Sequence, residues 1–97
     1  MASMLARLLM RLTLKWFRLS LEPLAGAGTR GQYSLRLPGC GRRQIGYISL
    51  RNGYAIARYG DWRGPLVYSE TFSSPERAML GALRALLRKR REELRNG

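Results

Sequence analysis

The sequence predicts an α+β fold: an N-terminal amphipathic helix, an antiparallel meander of three to four strands, and a C-terminal helix packed on one sheet face. Three observations predict it. Apolar residues recur at helical spacing near the start of the chain and again from Met79 to Leu86. Between these stretches, from Gln32 to Thr71, the apolar period falls to two. Asn52-Gly53 then supplies the positive φ angles of a type I′ turn, the clearest hairpin signal in the chain. With 97 residues and 11.1 kDa, the chain has material for one compact domain. A chain of this size hides only roughly two-thirds of its unfolded surface, so nearly every apolar segment is needed.

Residues 1–22 form the first segment, a basic amphipathic helix. Arg7, Arg11, Lys15 and Arg18 recur at intervals of four, four and three, which aligns them as one stripe. Leu5, Leu8, Leu9, Leu12, Trp16 and Leu19 fall on the other side. Glu22-Pro23 ends the helix, because the residue before proline is pushed out of helical space. Three roles stay open. The apolar face docks on the sheet; or it lies in a membrane interface, with Trp16 and Phe17 beside basic residues; or the segment is a mitochondrial-type presequence, Arg-rich and free of acids. No charge-free run approaches the roughly 18 residues of a membrane span. A secretory signal is excluded by Arg11, Lys15 and Arg18 inside the apolar stretch.

Residues 23–31, rich in Gly and Ala, read as a linker, and residues 32–97 as a basic ββββα domain. Tyr33, Leu35 and Leu37 alternate with Ser34 and Arg36 in a half-buried strand ended by Pro38-Gly39. The next runs from Ile45 to Arg51, with Ile48 and Leu50 on one face and Tyr47, Ser49 and Arg51 on the other. Tyr54 to Tyr59 returns from the Asn-Gly turn, a reversal follows at Gly60 to Pro65, and Leu66 to Thr71 is the last strand. The final helix starts in Ser73-Ser74-Pro75-Glu76. Either Ser73 and Glu76 form a capping box, or Ser74 caps a helix whose first residue is Pro75. Met79, Ala82, Leu83 and Leu86 make its apolar stripe, and it runs to about Leu94.

Composition excludes most chemistry. A single cysteine, Cys40, cannot form an internal disulfide, and without histidine it has no Cys/His zinc site or Cys-His pair to join; in Pro38-Gly39-Cys40-Gly41 it reads as a small turn residue. No serine has an imidazole to activate it. The six acids do not converge in the sequence, as two-metal or paired-carboxylate catalysis requires. The glycines at 26, 28 and 31 lack the strand-before, helix-after setting of a dinucleotide loop. The expectation is a protein that is not an enzyme and holds no metal or cofactor.

Eighteen Lys+Arg against six Asp+Glu give a formal charge of +12, and sixteen of those cations are arginine, the fork-shaped donor that suits phosphates. A polyanionic partner follows: nucleic acid, an anionic membrane surface or an acidic protein.

One stretch carries a family likeness. Residues 46–87 hold Tyr54-Ala55-Ile56-Ala57-Arg58, then Thr71-Phe72, then Ser74-Pro75-Glu76-Arg77-Ala78. They resemble the middle strand, the strand end and the helix start of the AP2 and integrase arm-type DNA-binding domain. The resemblance implies three antiparallel strands and a packed helix, with the sheet rather than the helix in the major groove. It points to Tyr47 and Arg51 on the first strand, Arg58 on the second, Arg63 in the turn and Tyr68 on the third as contacts. Glu70 departs from the family pattern, standing where glycine precedes Thr-Phe. The middle strand can be read in either register, and a one-residue slip would turn Arg58 inward. A helix-sheet-helix order is also similar to the double-stranded-RNA-binding domain, but Pro75-Glu76-Arg77 stands where that domain has its lysine cluster.

Phosphate contacts are expected from Arg42, Arg43, Arg51, Arg63 and the 84–91 stretch, whose five cations are Arg84, Arg88, Lys89, Arg90 and Arg91, with Arg84, Arg88, Lys89 and Arg91 the chosen candidates. The negative end of the helix dipole is by itself a structural reason for some of these helix cations. The reading is a nucleic-acid-binding protein, DNA favoured over RNA, using the sheet face and basic loops. The alternatives are a small basic inhibitor or adaptor for an acidic protein, and a membrane-surface protein anchored through residues 1–21. A cytoplasmic location is expected, with an organelle left open by the presequence-like N-terminus.

Overall fold

The computed structural model describes residues 2–26, 28, 30–39 and 43–96. In chain order it contains α1 (Ala2–Trp16), β1 (Ser20–Pro23), β2 (Gln32–Arg36), β3 (Gln44–Arg51), β4 (Tyr54–Tyr59), β5 (Leu66–Thr71) and α2 (Pro75–Asn96). The strands form one antiparallel sheet in the order β1-β2-β3-β4-β5. The α+β class and the helix-meander-helix order are as expected; the sheet has five strands rather than three or four.

The additional strand comes from residues assigned above to the end of the basic helix. That helix stops at Trp16, six residues early. Arg18 takes a left-handed backbone (φ 55°), its N–H bonds to the Lys15 carbonyl at 3.2 Å, and the Leu19 N–H reaches back to Leu14 at 2.8 Å. This is the Schellman termination, made with arginine where glycine is usual. Leu14 and Leu19 both pack against the core, the apolar contact that accompanies such a cap. Ser20–Pro23 is then free to pair with β2, Leu21 opposite Leu35 and Pro23 opposite Tyr33. As an edge strand, β1 tolerates the missing proline N–H. The segment read as a linker connects β1 to β2, and the Leu24 N–H bonds to the Gln32 carbonyl at 2.9 Å.

Both remaining signals in the chain act as their chemistry dictates. Asn52 and Gly53 carry φ values of 53° and 71° at the β3–β4 turn. Of the two helix starts, the second holds: Ser74 Oγ accepts the Arg77 N–H at 3.3 Å, so Ser74 is the cap and Pro75 the first helical residue.

α2 lies across β3, β4 and β5, and α1 lies along α2. Leu35, Ile48, Leu83 and Leu86 are fully buried between the layers, each stabilising by about 1.5–3 kcal/mol. Close approach of α2 is permitted by Ala55 and Ala57, fully buried on β4, and by Gly46, over which Leu86 sits. Docking of α1 differs from expectation. It turns Ala6, Met10 and Leu14 inward, while Leu5, Leu8, Leu12 and Trp16 stay exposed. An ion pair accompanies this rotation: Arg7 reaches Glu76, in the first turn of α2, at 3.1 Å.

Candidate nucleic-acid interface

Because Ala55 and Ala57 lie under α2, Tyr54, Ile56 and Arg58 must emerge on the opposite side of the sheet. Pairing with β3 brings Tyr47 opposite Arg58, Ser49 opposite Ile56, and Arg51 opposite Tyr54. The outer face therefore carries two cross-strand Tyr/Arg pairs, one at each end of the β3–β4 ladder. Among the described residues no helix or strand covers them. Tyr47, Arg51 and Arg58 thus share the surface on which sequence reasoning placed them.

Hydrogen bonds hold these side chains in place. Tyr47 Oη donates to Gln32 Oε1 at 2.7 Å, the Tyr54 hydroxyl bonds the Ser69 hydroxyl, and Arg58 Nη1 donates to the Gly64 carbonyl at 3.1 Å. That last bond ties the sheet face to the Gly60–Pro65 reversal. There the Arg63 guanidinium lies 4.7 Å from the centre of the Trp62 ring, and the Arg63 N–H bonds Asp61 Oδ1 at 2.8 Å. Both Trp62 and Arg63 are exposed, so the reversal presents a stacked cation–aromatic platform beside the face.

Sequence reasoning missed three contributors to this surface. Tyr54 and Arg36 lie on the same outer face by register, Arg36 opposite Gln44 and Ser20. Arg30 stands at the rim of the face, where it joins Arg51 and Asn52 around a shallow hollow also lined by Tyr33 and Leu50 from the helix side. The alternation of β2 carried a signal for Arg36, which shares a face with Ser34; Arg30 had none, because it sits in an irregular loop. Glu22 belongs to the outer face through its pairing with Ser34, and Ser20 Oγ donates to its carboxylate at 3.1 Å. Ser34 itself is only 2% exposed and its hydroxyl has no partner.

Tyr68 is a correction. It pairs with Ala57 and so points toward α2, where a Cβ on Gly81 would meet its hydroxyl. A one-residue choice of register decides this. Its hydroxyl donates to Glu70 at 3.0 Å, and burial, with the hydrogen bond to Glu70 next, raises its pKa. The same geometry draws the Glu70 carboxylate to the helix side, away from the outer face.

The helix cations stand apart from this face. Arg84, Arg88 and Arg91 are exposed on α2, spaced four and three apart with Arg77 and Arg95 in the same row. This row faces away from the sheet, so one ligand cannot engage it and the Tyr/Arg face together. Lys89 stands off the row, half-buried and ion-paired with Glu93 at 3.2 Å. Arg43 is exposed at a third place, lining a cleft with Tyr59, Arg90 and Glu93. Arg42 and Cys40 lie outside the described residues.

No group of three or more metal-ligating side chains occurs among the described residues, and none of the described helices is long and apolar enough to cross a membrane. Comparison with protein-family models, curated proteins and solved structures finds no match to this chain.

Proposed function

We propose that this chain is a non-catalytic nucleic-acid-binding protein that lays the outer face of its sheet on duplex DNA. One observation carries the reading: the in-register Tyr47/Arg58 and Arg51/Tyr54 pairs on an uncovered sheet face. The likeness of residues 46–87 to AP2 and integrase arm-type domains supports it. A major groove about 12 Å wide admits a two-stranded ribbon such as the β3–β4 hairpin. Arg51 and Arg58 supply forked donors for phosphates or guanine edges, and Tyr47 and Tyr54 supply aromatic surface. The Trp62/Arg63 platform and Arg30 extend the contact at either end. Affinity comes chiefly from counterion release, which fixed arginine charges deliver independently of pH across the physiological range.

Electrophoretic shifts over a salt series test this on duplex DNA, RNA and single strands. Log affinity for duplex DNA should fall linearly with log salt, and Arg51→Ala or Arg58→Ala should flatten the slope by about 0.9 each. Absent or salt-insensitive binding overturns the proposal. So does binding that ignores both substitutions and is lost on replacing Arg84, Arg88 and Arg91, since that result moves the nucleic acid to the helical layer.

A further inference from the structure

α1 has two apolar faces, and the domain uses one. At 100° per residue, Ala6, Met10 and Leu14 occupy the arc turned into the molecule, with Ala6 only 4% exposed. Leu5, Leu8, Leu12 and Trp16 form a second arc on nearly the opposite side of the helix. Leu8, Leu12 and Trp16 are 53%, 54% and 83% exposed, values that no internal partner explains. Along one border of this arc run Arg7, Arg11 and Lys15. Since Arg7 binds Glu76, that border is the one turned toward α2. Beyond it, the outward side of α2 carries Arg77, Arg84, Arg88, Arg91 and Arg95, all exposed and none ion-paired.

From this arrangement we infer that the helical layer docks on an anionic lipid bilayer, α1 lying in the interface with its Leu5/Leu8/Leu12/Trp16 arc in the acyl boundary. Charge complementarity selects the occupant. Residues 1–21 hold no acid, and the rows on α1 and α2 present cations where headgroup phosphates would lie. Trp16 and Phe17, at the end of the arc beside Lys15 and Arg18, are an indole and a phenyl ring at the level where aromatic side chains favour a membrane interface. A second copy of this chain fits less well, because apposing two such arcs sets their cationic borders together with no carboxylate on α1 to offset them. Like charges at i,i+4 cost a helix a few tenths of a kcal/mol per pair, so the Arg84/Arg88 and Arg91/Arg95 steps gain a reason from a polyanion above them. This surface lies on the side opposite the Tyr/Arg face and does not depend on the nucleic-acid reading.

The test uses the full chain with vesicles of phosphatidylcholine, alone or mixed with phosphatidylglycerol. Co-sedimentation with the mixed vesicles is expected, weak with phosphatidylcholine alone and reduced by salt. In a Trp62→Phe background the remaining Trp16 emission should shift to the blue on binding. The double substitution Leu8→Gln/Leu12→Gln should lower the bound fraction about tenfold or more while leaving the thermal midpoint in place, because both side chains are exposed. Failure to bind the mixed vesicles overturns the inference, as does undiminished binding by the double variant. A dimer in solution that the double variant abolishes, without vesicle binding by the parent chain, reassigns the arc to a second copy and overturns it equally.

Discussion

Gly46 of β3 lies directly beneath Leu86 of α2: a Cβ at position 46 would come within 2.5 Å of Leu86 Cδ1. Leu86 is fully buried within the core cluster, so yielding to the new methyl disturbs its neighbours there. Gly46→Ala is therefore an overpacking change, expected to lower stability by about 1–3 kcal/mol in urea unfolding. An unchanged or raised midpoint would show that the helix can slide on the sheet at this point.

The Arg7–Glu76 pair makes a pH signature. The carboxyl of Glu76 is held below the ordinary value by its own backbone N–H, then by Arg7. A lowered folded value stabilises the protein above the unfolded glutamate pKa of about 4.3, and the effect disappears as pH falls through the folded value. Glu76→Gln should melt below the parent chain at pH 7 and converge with it in acid. Parallel melting curves from pH 7 to pH 2 would remove this ion pair from the stability of the fold.

Arg18 occupies a backbone region that costs a side-chain-bearing residue about 1–2 kcal/mol and glycine much less. Arg18→Gly should raise the unfolding free energy by about 0.5–1 kcal/mol, the remainder being offset by the greater freedom of glycine in the unfolded chain. Calorimetry would record a higher midpoint; a lower one would mean that the Arg18 side chain contributes more than its backbone costs.

Tyr68 and Tyr47 separate the two sides of the sheet. Tyr68→Phe removes a hydroxyl that meets Glu70 on the α2 side, so it should leave DNA affinity unchanged. Tyr47→Ala removes a ring from the outer face and should weaken binding several-fold, in keeping with roughly 1 kcal/mol or more for an aromatic contact to a base. The reverse pattern would invert the assignment of faces.

Legibility in the sequence follows the type of signal. Alternation marked β2 to β5, Asn52-Gly53 marked the hairpin, and Ser74-Pro75 marked the helix start, because each is a local requirement that few residue types meet. β1 was hidden because its neighbour Arg18 closes α1 in a glycine-like conformation that nothing in its chemistry announces. The open face depended on which of two alternating sets met the helix. On β4 the small Ala55 and Ala57 identified the buried set. On β5 Tyr68 and Glu70 gave no such contrast, and only the pairing with β4 turned them inward. The rotation of α1 was likewise out of reach, for it follows from packing against α2, where Arg7 meets Glu76, sixty-nine positions away.

Every strand of this sheet joins the next one along the chain, whereas the two helices bring the beginning of the chain against its end. On a ribosome the sheet can zip up hairpin by hairpin as it emerges, but α1 must wait for α2. At about 5–20 residues per second, the eighty residues from Trp16 to Asn96 take roughly 4 to 16 s to synthesise. For that interval both leucine-bearing sides of the nascent helix are uncovered and open to a chaperone.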